Sequence, residues 1–69
     1  METMDIVING KIEQVPPQLS LQELIQSLDL KSDRVAVELN RQIVRRERWA
    51  ETPLHEQDRV EIVHFVGGG

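Results

Sequence analysis

Three consecutive glycines, Gly67, Gly68 and Gly69, follow a strand-like run at the C-terminal end of the 69-residue sequence. Glycine is costly to order and weak in strands, so this run ends a sheet and leaves a mobile stub. Such a stub is either a frayed chain end or a reactive one. Its reactive group would be the α-carboxylate of Gly69, which is ionised at neutral pH and a poor electrophile. To react, that group must be activated, for example as a mixed anhydride with AMP, deep in another protein's active site. A tail without side chains is thin enough to thread such a channel and adopts whatever φ/ψ the channel imposes. The strand before it fixes the root of the tail, so the carboxylate samples a limited volume.

The remaining chemistry-bearing residues are sparse. His55 and His64 are the two histidines, and the chain has no cysteine. A metal site needs three or four converging ligands, and nothing in the spacing marks them; no metal is expected. The absence of cysteine also removes a thiol nucleophile and a disulfide framework. No serine–histidine–carboxylate or phosphate-loop pattern is present, because the glycines follow the last strand and no helix comes after them. Arg41, Arg45, Arg46 and Arg48 form a local basic run, which reads as a solvated edge or as a surface for an acidic partner or a phosphate. Asp58 is expected to close a turn, and His64 to be partly buried in a strand.

Composition bounds what these residues can do. The chain carries 12 acidic against 8 basic residues, a net charge of −4. Such a surface repels a phosphate backbone, so nucleic-acid binding is disfavoured. A domain of ~60 residues buries only ~60% of its unfolded surface, which leaves no room for a deep, doubly supported pocket. The expectation is therefore one folded domain that is not an enzyme, with no catalytic residues of its own. A small secreted domain usually needs staples, and this one has none, so a cytoplasmic address is expected. The N-terminal residues carry no basic region and no long apolar run, so neither a signal peptide nor a membrane span is expected.

The elements that must position the tail follow from periodicity. Residues 4–9 and 12–15 read as strands joined at Asn9-Gly10, a strong hairpin signal because both residues tolerate positive φ. Pro16-Pro17 stops the second strand. Ser20 and Glu23 match a capping box. Leu21, Leu24, Ile25 and Leu28 then fall at i, i+3, i+4 and i+7, which predicts one amphipathic helix ending near Asp29. Val35, Val37 and Leu39 alternate as the inward face of a third strand. A turn at Asn40-Arg41 leads to a short fourth strand at 42–44. Residues 45–57 hold no period, with Trp49 and Leu54 as apolar pegs of an irregular segment. Residues 59–66 form the last strand, with Val60, Ile62, His64 and Val66 on one face and Glu61, Val63 and Phe65 on the other. Strand, strand, helix, strand, strand, strand with a single helical stripe predicts an α+β fold in two layers. A hairpin, a helix laid across it and a returning last strand parallel to the first is the β-grasp arrangement, a mixed sheet of about five strands with one main helix. The division expected is an N-terminal extension at 1–3, the domain at 4–66 and a flexible tail at 67–69.

On this parity Val63 and Phe65 face outward together with Val7 of the first strand. With Val66 they are expected to form an apolar docking patch beside the tail, since exposed apolar patches on small domains tend to bind partners. A one-residue slip in register would exchange the two faces.

The segment from Asp58 to Gly69 resembles the C-terminus of the thiamine-biosynthesis sulfur carrier family, ThiS, which has a ubiquitin-like β-grasp fold. Ile8-Asn9-Gly10-Lys11, Val35-Ala36-Val37-Glu38-Leu39-Asn40 and Arg46-Glu47-Arg48-Trp49 resemble the same family, so the similarity runs from about Met4 to Gly69. Members often carry glycine before the aspartate of the last loop, where this chain has Gln57, a difference that bears on the turn rather than the tail. Residues 1–3 extend past the usual start. The resemblance implies a protein co-substrate. An E1-like adenylating enzyme would adenylate the Gly69 carboxylate with ATP and magnesium, with no cofactor bound to this chain. Sulfur, drawn from cysteine through a desulfurase, would replace AMP to give a thiocarboxylate. Thiazole synthase would take that sulfur, while Gly67 and Gly68 thread the partner's active site. A carrier for another acceptor, molybdopterin or thiolated tRNA, would use the same tail chemistry. So would a protein modifier forming isopeptide bonds. A non-covalent module binding RNA through the arginine run is disfavoured by the net charge and by 3% aromatic residues, too few for stacking platforms. The free chain is expected to be monomeric.

Overall fold

The computed structural model describes residues 2–65. The elements run β1 (Met4–Ile8), β2 (Lys11–Val15), α1 (Leu21–Ser27), a 3₁₀ turn (Ser32–Arg34), β3 (Val35–Leu39), β4 (Gln42–Ile43), a 3₁₀ helix (Arg46–Glu51) and β5 (Arg59–His64). One five-stranded sheet has the order β2-β1-β5-β3-β4. β5 lies in its middle, parallel to β1 and antiparallel to β3. This is the ubiquitin-like β-grasp expected from the sequence.

Both hairpin turns form where the sequence places them. Asn9 and Gly10 have φ of 49° and 84°, and Asn40 and Arg41 have 51° and 72°. Positive φ at both central residues is the type I′ geometry whose twist matches the flanking strands. Helix α1 opens with the expected capping box: Glu23 N–H donates to Ser20 Oγ at 3.1 Å, and Ser20 N–H donates to Glu23 Oε1 at 2.9 Å. Its C-terminus is earlier than the apolar spacing suggests. Asp29 takes φ 59°, and the Asp29 and Leu30 N–H groups donate to the Gln26 and Ile25 carbonyls. That is a Schellman closure with aspartate in the place glycine usually takes. Leu28, read as the fourth member of the stripe, is instead the C-cap and 41% exposed.

The core lies between the inner sheet face and α1. Met4, Ile6, Val15, Val35, Val37 and Val60 from the strands meet Leu21, Leu24 and Ile25 from the helix, with Trp49 and Leu54 closing the side. Fully burying an aliphatic side chain of this kind contributes ~1.5–3 kcal/mol. The segment read as irregular holds a six-residue 3₁₀ helix, and its anchor is Trp49, which is 1% exposed and donates from Nε1 to the Val44 carbonyl at 2.8 Å. A 3₁₀ stretch has no 3.6 period to read in sequence. The loop after it is tied to the start of α1, where Leu21 N–H donates to the Thr52 carbonyl and Leu54 N–H to the Leu19 carbonyl, both at 2.8 Å. Among the described residues no helix is long and apolar enough to cross a membrane.

Candidate functional site

The site of interest is the end of β5, from which the sequence runs on to the three glycines. On one side β3 carries it that far: Val35 pairs with His64, and Phe65 N–H donates to the Arg34 carbonyl at 2.7 Å. On the other side β1 has already ended at Ile8, which pairs with Val60. The ladder is extended past that point by Asn9. Its main-chain N–H donates to the Val60 carbonyl at 2.9 Å. Its side chain then pairs with Ile62 twice, accepting from the Ile62 N–H on Oδ1 at 2.7 Å and donating from Nδ2 to the Ile62 carbonyl at 3.3 Å. A carboxamide offers one acceptor and one donor group, so it can stand in for a strand residue. Reading Asn9 as a turn residue missed this second role.

The start of β5 is held by a matching contact. Asn40 accepts from the Arg59 N–H at 2.9 Å and donates from Nδ2 to Asp58 Oδ1 at 3.0 Å. Asp58 Oδ2 accepts from the His55 N–H at 2.7 Å, closing the turn as its residue type suggests. Beside it Gln57 has φ 68°, a left-handed conformation that glycine adopts without cost. The repetition of asparagine at the first position of both turns was a signal available in the sequence. Nothing there says which strand each side chain reaches.

Of the docking residues expected from the sequence, Val63 is 57% exposed and Phe65 51% exposed on the outer face. Val7 is half-buried on the same face, but its register partner is Arg59. It therefore stands four positions behind Val63, ~13 Å along the strand at ~3.3 Å per residue. Contrary to the expectation of one patch beside the tail, Val7 is separated from Val63 and Phe65. With Asp5, Ile12, Gln57 and Arg59 it lines a shallow groove of ≈ 300 Å³. His64 is exposed rather than partly buried, although its register partner Val35 belongs to the core. Val66, Gly67, Gly68 and Gly69 lie outside the described residues, as does the expected division at 67–69.

The arginine run lies away from the chain exit. Arg41, Arg45, Arg46 and Arg48 are all exposed. Arg45 and Arg48 line a groove of ≈ 560 Å³ with Ile43, Val44, Glu47 and Thr52. That groove flanks β4, the sheet edge that pairs with Glu38 and Leu39, toward the start of β5. Arg48 approaches Glu51 at 3.9 Å, an exposed pair that contributes little. Among the described residues no cluster of three His, Cys, Asp or Glu could hold a metal ion.

Comparison with known proteins bears on what this chain exit serves. The model of the ThiS family matches residues 3–69. The sulfur carrier protein ThiS of Bacillus subtilis is 46% identical over 50 residues, covering 72% of this chain and 76% of that protein. A thiazole synthase of Magnetococcus marinus is 36% identical over 66 residues, which is 96% of this chain but only 20% of the larger protein. The crystal structure of the thiamine biosynthesis protein ThiS from Geobacter metallireducens superposes with a TM-score of 0.82 at 35% identity, covering 96% of this chain and all of that one. The chain belongs to the ThiS family, the sulfur carrier proteins of thiamine biosynthesis.

Proposed function

We propose that the chain carries sulfur on the α-carboxyl of Gly69. The observation that carries this reading is family membership across residues 3–69, which takes in the three glycines. The Gly69 carboxylate attacks the α-phosphorus of ATP in an E1-like adenylating enzyme, releasing pyrophosphate and forming an acyl adenylate. Magnesium serves the nucleotide in that partner and is not held by this chain. The terminal sulfur of a persulfide supplied through a cysteine desulfurase attacks the acyl carbon and displaces AMP, and a thiol then reduces the resulting acyl disulfide, leaving a thiocarboxylate and an ordinary disulfide. The thiocarboxylate then gives its sulfur to thiazole synthase for formation of thiazole phosphate. The stretch of a thiazole synthase that is similar to this chain supports that enzyme as the acceptor.

On this reading the chain is a co-substrate and its partners supply the catalytic groups. Gly67 and Gly68 pass through the partner's channel because they present no side chains. Val63 and Phe65 dock beside the channel mouth, with Val66 between them and the tail. Exposed apolar side chains next to a functional exit are suited to a partner surface.

The test is the intact mass of the chain purified from its own cytoplasm, before and after alkylation. Replacement of one oxygen by sulfur at Gly69, lost on deletion of Gly68-Gly69, is the expected result. Failure to form an adenylate with ATP, magnesium and the adenylating enzyme would overturn the reading. Conjugates of higher mass would point instead to a protein modifier.

A further inference from the structure

Asn9 makes contacts that a turn residue does not need. A type I′ turn asks only that it accept positive φ, and glycine would meet that requirement. Its carboxamide instead reaches across to β5 and takes up both the N–H and the C=O of Ile62. Beyond Ile62 the register leaves β5 paired with β3 alone, through Ala36↔Val63, Val35↔His64 and the Phe65-to-Arg34 bond. Among the described residues Asn9 thus makes the last hydrogen bonds to β5 on the β1 side. A strand gripped from one side can swing about that side, while one gripped from both is held in direction. From this geometry we infer that Asn9 is a positioning residue, fixing the direction in which β5 delivers the tail to an activating enzyme. This inference rests on the carrier reading above for its consequence, but not for its structural content.

Asn40 provides the internal control. From a turn of the same type it makes two side-chain hydrogen bonds, accepting at 2.9 Å from the Arg59 N–H at the start of β5 and donating at 3.0 Å to the side chain of Asp58 just before it. It grips the start of β5, at Arg59 and Asp58, rather than the exit. If the asparagines served stability alone, replacing either would have the same functional consequence.

Three variants are compared with the unaltered chain: Asn9→Gly, Asn40→Gly and Asn9→Asp, the last keeping an acceptor for the Ile62 N–H. Backbone ¹⁵N order parameters of Val63, His64 and Phe65 are measured on the free chain. The kcat and KM of adenylate formation are measured with the adenylating enzyme, ATP and magnesium. In Asn9→Gly the order parameters fall from the rigid value of ~0.85 toward ~0.6. They stay near the unaltered values in Asn40→Gly. KM rises roughly tenfold in Asn9→Gly with kcat held, stays within about twofold in Asn40→Gly, and is intermediate in Asn9→Asp. Equal KM effects of the two glycine variants, or order parameters unmoved in Asn9→Gly, would overturn the inference. If Asn9→Gly does not fold, Asn9→Asp decides by the same two readings. An unaltered chain that is never adenylated would remove the carrier reading, while the order parameters would still decide the role of Asn9.

Discussion

The two ends of β5 are gripped by the same residue type from the same kind of turn, yet they differ in how much else holds them. At the start, Asn40 binds Arg59 and Asp58, and Asp58 in turn accepts from the His55 N–H. Val7 N–H donates to the Asp58 carbonyl and Gln57 N–H to the Asp5 carbonyl, and Val60 is wholly buried beneath. At the exit, Asn9 on one side and the Val35–His64 pairing on the other hold a strand whose outward side chains, Val63 and Phe65, are exposed. A hydrogen bond contributes ~0.5–1.5 kcal/mol, more where a carboxylate such as that of Asp58 accepts, so among the described residues the start is the more firmly tied end. The lesson is a division of labour along one strand. The buried half anchors the fold, and the outward side chains of the other half stay exposed.

The sharpest way to break this comparison is to damage each half and ask which property fails. Val60→Ala removes two wholly buried methyl groups and should destabilise the fold by about 2–3 kcal/mol in urea unfolding, a large fraction of what so small a domain has. A loss below about 1 kcal/mol would mean that the start of β5 is not the anchor. Phe65→Asp should leave the unfolding midpoint almost unchanged, since the ring is half in solvent. It should raise KM for adenylation about 30-fold, the equivalent of about 2 kcal/mol for a docking residue. Unchanged adenylation by a folded Phe65→Asp variant would remove the docking role.

Two smaller effects sharpen the account of the start. Asp58→Ala strips the acceptor from Asn40 and from the His55 N–H, and should cost about 1–2 kcal/mol by urea unfolding. Gln57→Gly should act in the opposite sense. Left-handed backbone costs a non-glycine residue roughly 1–2 kcal/mol, part of which glycine gives back as unfolded-state entropy, so the net gain should be about 0.5–1 kcal/mol. No change in midpoint would show that the Gln57 side chain makes up for its backbone. Neither variant should alter KM for adenylation, because both lie at the end of β5 remote from the tail.

Much of this molecule was legible in the sequence because the signals were local. Ser20 and Glu23 cap a helix by chemistry three residues apart. Asn9, Gly10 and Asn40 readily take the positive φ that turns the chain, and alternation along residues 35–39 and 59–63 assigned the faces of β3 and β5. The three glycines suggest a tail by composition alone, and they lie outside the described residues. Other features were hidden because they depend on distant partners. Leu28 has the right spacing for the core, but the Schellman closure at Asp29 turned it outward. Trp49 looked like a peg in irregular chain, and only its packing and its bond to the Val44 carbonyl show it anchoring a 3₁₀ helix. Val7 had the right parity, yet strand register placed it beside Arg59 and away from Phe65, since alternation fixes which face a residue takes and not how far along its neighbour it sits. The side chains of Asn9 and Asn40 reach Ile62 and Arg59 across 53 and 19 positions of sequence. Sequence determined what each residue could offer, a turn, a cap, a donor and an acceptor. The tertiary structure decided which strand would receive it, because hydrogen bonds are short and only folding brings such distant groups within 3 Å.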